Sequence, residues 1–394
     1  MKTSLLLATA LVTTLASAQS SSLPSAPGAK VANITAKSGY FNEPAIAINP
    51  HNPQQLVAAY QVNATVAYSE NGGKSWKRAE GTAPSEYRRS GDVSIAFDAK
   101  GAAIFCFIAF DKLGTTYYWA HNATRNGVFI RRSPDGGKNW EKEFHAVIAH
   151  EDQPGNVFED KPYIFADNTS SRHAGNLYVG WTQFTLTKSV ILFSRSTDGG
   201  NTWSEPIEIS THEGLPRDDN GSDEGFTGAV GADGTVYVAW ADANTIAFTS
   251  SSDGGKTFAA SRSIIETAPP YFPVPGIERG DGFPQIGADQ QHGTLYLTWS
   301  DYRNGDIDVF AATSSDQGAT WGKAVRVNSD EVHNGTDQFL QWMVVDPVTG
   351  AANVVFYDRR ADPANQKTTI TLARSVDGGK SFTNYALSSE AFTG

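Results

Sequence analysis

Ser196-Thr197-Asp198-Gly199-Gly200-Asn201-Thr202-Trp203 is the stretch on which the fold turns. Asp-Gly-Gly is turn chemistry: glycines adopt positive φ freely, and the Asp carboxylate can accept hydrogen bonds from turn amides. The Trp that follows can fold back as an apolar plug. The stretch therefore reads as a tight hairpin between two strands. It recurs at residues 69–76, 133–140, 251–258, 314–321 and 375–382, with Asn71 standing for Asp in the first copy.

The copies fall about every sixty residues, the length of one four-stranded propeller blade. Residues 283–288, 294–300, 308–313 and 324–328 supply four strands around the fifth copy. Equivalent second strands recur at 177–181 and 236–240, with the alternation of half-buried strands. No helical period of useful length interrupts them. The expected fold is all-β: a β-propeller of six blades, each of four antiparallel strands, with room for a partial seventh. Residues 29–37 have the form of an outer strand that packs on the last blade and closes the ring.

The chain has 394 residues, and its first eighteen read as a secretory signal peptide. Met1-Lys2-Thr3 gives a basic start, residues 5–15 are apolar, and Ala16-Ser17-Ala18 is a small-x-small end. The apolar run is too short to span a membrane. Residues 19–28 then form a flexible leader, and 29–394 a single catalytic domain of a secreted, extracellular protein. Asn-x-Ser/Thr sequons at Asn33, Asn63, Asn122, Asn168, Asn220 and Asn334 suit such a glycoprotein. The net charge of −11, with scattered basic residues, argues against nucleic acid or an anionic membrane as partner. A monomer is expected. The single cysteine, Cys106, lies in an apolar strand and supports no disulfide framework.

If the Asp-Gly-Gly turns crowd one rim, the other rim carries the loops between second and third strands and the entries to the inner strands. Function is expected there. Each inner-strand entry carries an acid: Glu43, Asp92, Asp160, Glu224, Asp281 and Asp337. Their recurrence suggests a demand of the repeat itself. Arg88, Arg89, Arg217 and Arg279 do not follow the repeat and are better candidates for ligand contact, with Asp160 and Lys161 at the third entry. A long loop at 111–126 holds Tyr117-Tyr118-Trp119 and His121; further loops hold Tyr302-Arg303 and Tyr357-Asp358-Arg359. Aromatic faces beside guanidinium groups suit an acidic sugar. His333, just before the sixth inner strand, is a further polar candidate. Oxygen-bearing residues at 218–224 could take calcium, although the spacing is not that of a calcium hand. No zinc spacing occurs, and no other cofactor is expected.

Six copies in register resemble the Asp-box, or BNR-repeat, propellers of the sialidase superfamily, over nearly the whole chain after residue 28. Sialidases clamp a substrate carboxylate with three arginines, the first in a Phe/Tyr-Arg-Ile-Pro motif. The corresponding stretch here is Phe41-Asn42-Glu43-Pro44, with neutral Asn at the Arg position and an acid after it. That departure disfavours sialic acid. Within the superfamily the chain resembles the fungal secreted polysaccharide lyases that cleave L-rhamnose-α-1,4-D-glucuronate on arabinogalactan-type glycans. The resemblance implies β-elimination at a glucuronate, an oligo- or polysaccharide substrate, and His121 as catalytic base. Tyr302 would be the second catalytic group, and Arg88, Arg89, Arg217, Arg279, Arg303, Arg359, Tyr357, Asp160, Lys161 and His333 would bind substrate. A sialidase-type exo-glycoside hydrolase and a non-catalytic glycan-binding propeller are the alternatives.

Overall fold

In the computed structural model, which describes residues 23–35, 42–79, 81–82, 84–151, 156–388 and 390–393, six antiparallel sheets of four strands stand in a ring, the sixth with one further short strand, Phe392–Thr393, on its third. The inner strands are Ala45–Ile48, Arg89–Phe97, Val157–Ala166, Asp223–Val230, Gln285–Ala288 and Gln338–Val345. Each is followed outward by a second, third and short fourth strand, so chain order equals blade order. The expected strands of blade 5 appear as Gln285–Ala288, Leu295–Asp301, Asp308–Ser314 and Val325–Arg326.

Each Asp-box turn is a small network. The Ser hydroxyl donates to Asp Oδ1 at 2.7–2.9 Å in the five Asp copies. The amide six residues after that Ser donates to the same oxygen at 2.9–3.1 Å, and its side chain donates to Oδ2 at 2.5–2.7 Å. So many donors favour the ionised carboxylate. Hydrogen bonds led by those from Thr320 and Ser381 hold Asp316 and Asp377 down to about 2. Asn71 keeps the pattern because its Oδ1 accepts from the Ser75 amide at 2.9 Å while its Nδ2 donates to the Ser75 hydroxyl at 2.8 Å.

The second glycine of the turn has a positive φ in every copy, and in blades 2, 4, 5 and 6 a Cβ there would also strike the preceding blade. A Cβ on Gly137 would sit 2.4 Å from Val57 of blade 1, and one on Gly318 2.3 Å from Phe248 of blade 4. The motif therefore docks blades as well as closing hairpins.

Between blades lie separate apolar cores. Trp181, Trp240 and Trp299, equivalent on the second strands of blades 3, 4 and 5, are each fully buried. Burying such residues supplies roughly 25 cal/mol per Å² of apolar surface, the main support of a fold without disulfides. Cys106 is buried in the core between blades 2 and 3, and burial pushes its thiol up. Over the channel axis Tyr163 of blade 3 meets Trp342 of blade 6 with ring centroids 6.0 Å apart.

Ring closure departs from the expectation. Ser25, not a strand over 29–37, pairs in parallel with Ala386 on the outer edge of blade 6. The Ala26 amide donates to Ala386 O at 3.1 Å, and the Ala386 amide to Pro24 O at 2.9 Å. The chain then crosses the seam, and Ile34 packs on the Ala58, Tyr60 and Ala67 face of blade 1. Residues 1–22, expected to hold the signal peptide and the start of the leader, lie outside the described residues, as do 36–37.

Candidate active site

Inner strands enter the ring through bulges. Pairing with the second strand slips between Gly91 and Ser94, between Glu224 and Thr227, between Phe339 and Trp342, and opposite Gly180 and Thr182 in blade 3. Each slip holds one residue of positive φ: Asp92 (45°), Gly225 (73°), Leu340 (51°) and Lys161 (48°). Glu43 (46°) precedes the first inner strand in the same conformation. Non-glycine residues held this way cost roughly 1 kcal/mol or more each, and bulges re-aim side chains. The six entry acids are therefore not equivalent positions, as the recurrence had suggested. Glu43 and Asp92 are themselves the left-handed residues, whereas Asp160 and Glu224 come one residue earlier. Asp337 is structural: its Oδ1 accepts the Ile307 amide at 3.1 Å.

The entry to blade 1 and the bulges of blades 2–4 open onto a cleft of about 470 Å³ on the face opposite the Asp boxes. One wall is apolar, formed by Ile108, Phe110, Leu113, Trp119 and Phe158. The other is charged, with Glu43, Asp92, Asp160, Asp218 and Glu224 set among Arg89, Lys161 and Arg279. One oxygen from each of Asp160, Asp218 and Glu224 lies within 4.8 Å of the others, and all three residues are buried. Asp218 is saturated: Tyr271 Oη donates to Oδ1 at 2.6 Å, and Arg279 Nη1 and Trp119 Nε1 donate to Oδ2 at 2.6 and 3.1 Å. Burial alone would raise its pKa, but the Arg279 charge and these hydrogen bonds bring it below the usual range. Glu224 goes the other way. Burial first, then the charge of Asp218, push it up to about 8. Burial and then the charge of Asp92 raise Asp160, and the same two causes raise Glu43. Burial alone would lower Lys161, but Asp281, Glu43, Glu224 and Asp92 reverse this and keep it charged. The site thus holds two carboxyl pairs, Asp218 with Glu224 and Asp92 with Asp160. In each pair one member retains its proton above the ordinary range, the arrangement that separates acid from base.

Four of the sequence candidates line this cleft: Arg89, Asp160, Lys161 and Arg279. The others do not. The 111–126 loop reaches the site through Leu113 and Trp119, while His121 turns under Tyr118 (ring centroids 5.1 Å) with its Nε2 buried. Arg217 pairs with Asp219 and stacks near Tyr117 and Tyr118. That pairing also commits part of the oxygen-rich 218–224 loop. Arg88 is exposed, and its amide caps Asp111 at 3.2 Å. Arg303 is bound to Asp301 and to Glu266 O (2.9 Å) over the Phe310 ring. Arg359 is 0 % exposed, bonded to Asn365 O at 2.6 Å and lying over Phe339. Tyr302 is 40 % exposed, Tyr357 is wedged between Phe339 and Phe392, and His333 is exposed beside Gly305.

One element separates the blade 5 and 6 candidates from the cleft. Between blades 4 and 5 the chain inserts a hairpin, Tyr271–Val274 and Ile277–Asp281. Its Phe272 and Val274 pack on Ile307 and Phe339, with Tyr357 alongside, and Phe272 meets Tyr302 edge-on at 6.3 Å. The hairpin roofs blades 5 and 6 and projects Tyr271 and Arg279 toward Asp218. Sequence reading missed Tyr271. The signal was Val274-Pro275-Gly276-Ile277, a Pro-Gly turn between apolar residues, and Gly276 has the positive φ it requires.

No family profile matches the chain, and no curated protein does. Solved structures are similar. The intramolecular trans-sialidase of Ruminococcus gnavus superposes with a TM-score of 0.56 at 13% identity, covering 89% of this chain and 94% of that one. A PL25 ulvan lyase gives 0.52 at 12%, covering 87% and 84%. The α-L-arabinofuranosidase Arb93A of Fusarium graminearum gives 0.53 at 12%, covering 84% and 92%. The chain thus has the sialidase-like propeller fold.

Proposed function

We propose that this protein is a glycoside hydrolase that acts by general acid–base catalysis in the cleft over blades 1–4. The observation that carries the reading is the pair of carboxyl couples facing an aromatic wall. Glu224, protonated at neutral pH, would give its proton to the departing sugar oxygen. The Asp92–Asp160 couple would supply the base, and Trp119 would cover the apolar face of the sugar. The fold neighbours include hydrolases and a lyase, which supports a glycan as substrate class. Lys161 and Arg279 face carboxylates, so Arg89 is the one lining cation without an acid partner among the described residues. That is a poor clamp for a substrate carboxylate, and it favours a neutral sugar at the reacting position. Uronate elimination, favoured by the sequence, assigned its catalytic groups to His121 and Tyr302, and neither lines the cleft.

The test is product analysis by mass spectrometry over a panel of aryl glycosides and arabinogalactan-type glycans. Hydrolysis and elimination products differ by one water. We expect hydrolysis, a loss of about 10²–10⁴-fold for Glu224→Gln, and unchanged turnover for His121→Ala. Because Glu224 acts in its protonated form, kcat/KM should be retained at neutral pH and fall as pH rises through about 8. An unsaturated product, or full activity of Glu224→Gln, would overturn the assignment.

A further inference from the structure

We propose that Asn220 is a positioning residue that locks Tyr271 and Arg279 onto Asp218, and so fixes the charges beside Glu224. The proposal rests on Glu224 being the acid. Asn220 Oδ1 accepts the Tyr271 amide hydrogen at 2.9 Å, and its Nδ2 donates to Tyr271 O at 3.0 Å. Both main-chain groups of one residue are thus engaged by one side-chain amide. The hairpin register explains why they are free to be. Tyr271 stands opposite Asp281, Phe272 opposite Gly280, and the Gly282 amide donates to Pro270 O at 2.8 Å. In an antiparallel pair such bonded positions alternate, so the N–H and C=O of Tyr271 point away from the hairpin partner. Asn220 takes the place of the missing neighbouring strand.

The same short turn holds both halves of the couple. Asp218 opens it, and Ser222 closes it with its hydroxyl donating to Asp219 O at 2.8 Å and its oxygen 3.0 Å from Glu224 Oε2. From the hairpin come Tyr271 on Asp218 Oδ1 and Arg279 on Oδ2. Asn220 itself is exposed and buries little, so its contribution is to geometry rather than to the core. The charged and titratable groups facing Glu224 are Asp218 from its own loop, Asp160 and Lys161 from blade 3, and Tyr271 and Arg279 from the hairpin. Freeing the hairpin removes Tyr271 and Arg279, which hold Glu224 down directly as well as keeping Asp218 ionised, so Glu224 should be pushed further up.

Hydrogen–deuterium exchange and pH-rate profiles of Asn220→Ala and Asn220→Asp test this. Asn220→Asp keeps an acceptor for the Tyr271 amide but sets a carboxylate oxygen against Tyr271 O. The hairpin over 271–281 should exchange roughly tenfold faster in Asn220→Ala, with the Asp-box turns unchanged. The alkaline limb of kcat/KM should move to higher pH, and kcat should fall more than KM rises. Unchanged hairpin exchange would overturn the clamp. Faster exchange with an unmoved alkaline limb would overturn the positioning role. If the unsubstituted protein hydrolyses no glycoside, the functional reading fails by itself, and the exchange data still decide whether Asn220 holds the hairpin.

Discussion

The face of the ring that carries the cleft has two unlike halves. Over blades 1–4 the inner-strand entries, bulged in blades 2–4, are open and their charged side chains converge. Over blades 5 and 6 the same topological positions are roofed by Phe272 and Val274, and the polar residues there turn to structural work. Arg303 and Arg359 have the composition of ligand-binding arginines, each beside a Tyr and an Asp. Their guanidinium groups are nonetheless spent elsewhere, Arg303 on Glu266 O of blade 4 and the Phe310 ring, Arg359 on Asn365 O and the Phe339 ring. Residue type sets what a side chain can do; one inserted hairpin decides whether it meets a ligand.

Substitutions can break this contrast. The largest expected effect is at Arg359. Arg359→Ala leaves Asn365 O and Thr368 without their partner in a fully buried site, and should cost about 3 kcal/mol in chemical denaturation. The folded fraction should keep its full turnover. Activity lost without stability lost would put blade 6 back in the site. A smaller effect is expected on the Asp-box rim, where the turn hydrogen bonds repeat from blade to blade. Gly137→Ala drives a Cβ into Val57 and should cost about 1–3 kcal/mol. Gly199→Ala has nothing within 4 Å and carries only the positive-φ penalty, roughly 1 kcal/mol. Equal losses at the two glycines would show that turn conformation, not blade docking, is what Gly137 is needed for.

The scaffold was legible because its determinants are local. Ser, Asp, Gly and Trp within eight residues make their own hydrogen bonds, so the motif means the same thing wherever it stands. Part of the site was legible for a related reason: Asp160, Lys161 and Glu224 sit at strand entries that the repeat locates. What could not be read was convergence. Trp119 and His121 are two residues apart in one loop, yet one donates to Asp218 and the other turns beneath Tyr118. Tyr271 belongs to no repeat position. Its role depends on a hairpin packing against blades far along the chain, and no spacing encodes that.

The Asn220 clamp has a consequence for covalent modification. Asn220-Gly221-Ser222 is an acceptor sequence for N-linked sugar, yet the fold has already committed its amide. A substituted amide prefers the trans form, which places the substituent on the same side as the carbonyl oxygen. That is the side from which Nδ2 reaches Tyr271 O while Oδ1 accepts the Tyr271 amide. A sugar on Asn220 would displace the hydrogen that closes the clamp, so an Asn220 glycoform and a latched hairpin are alternatives. Glycopeptide mapping of protein made in a glycosylating host should find Asn220 bare in the fraction with slow hairpin exchange; a fully occupied Asn220 in that fraction would contradict the exclusion.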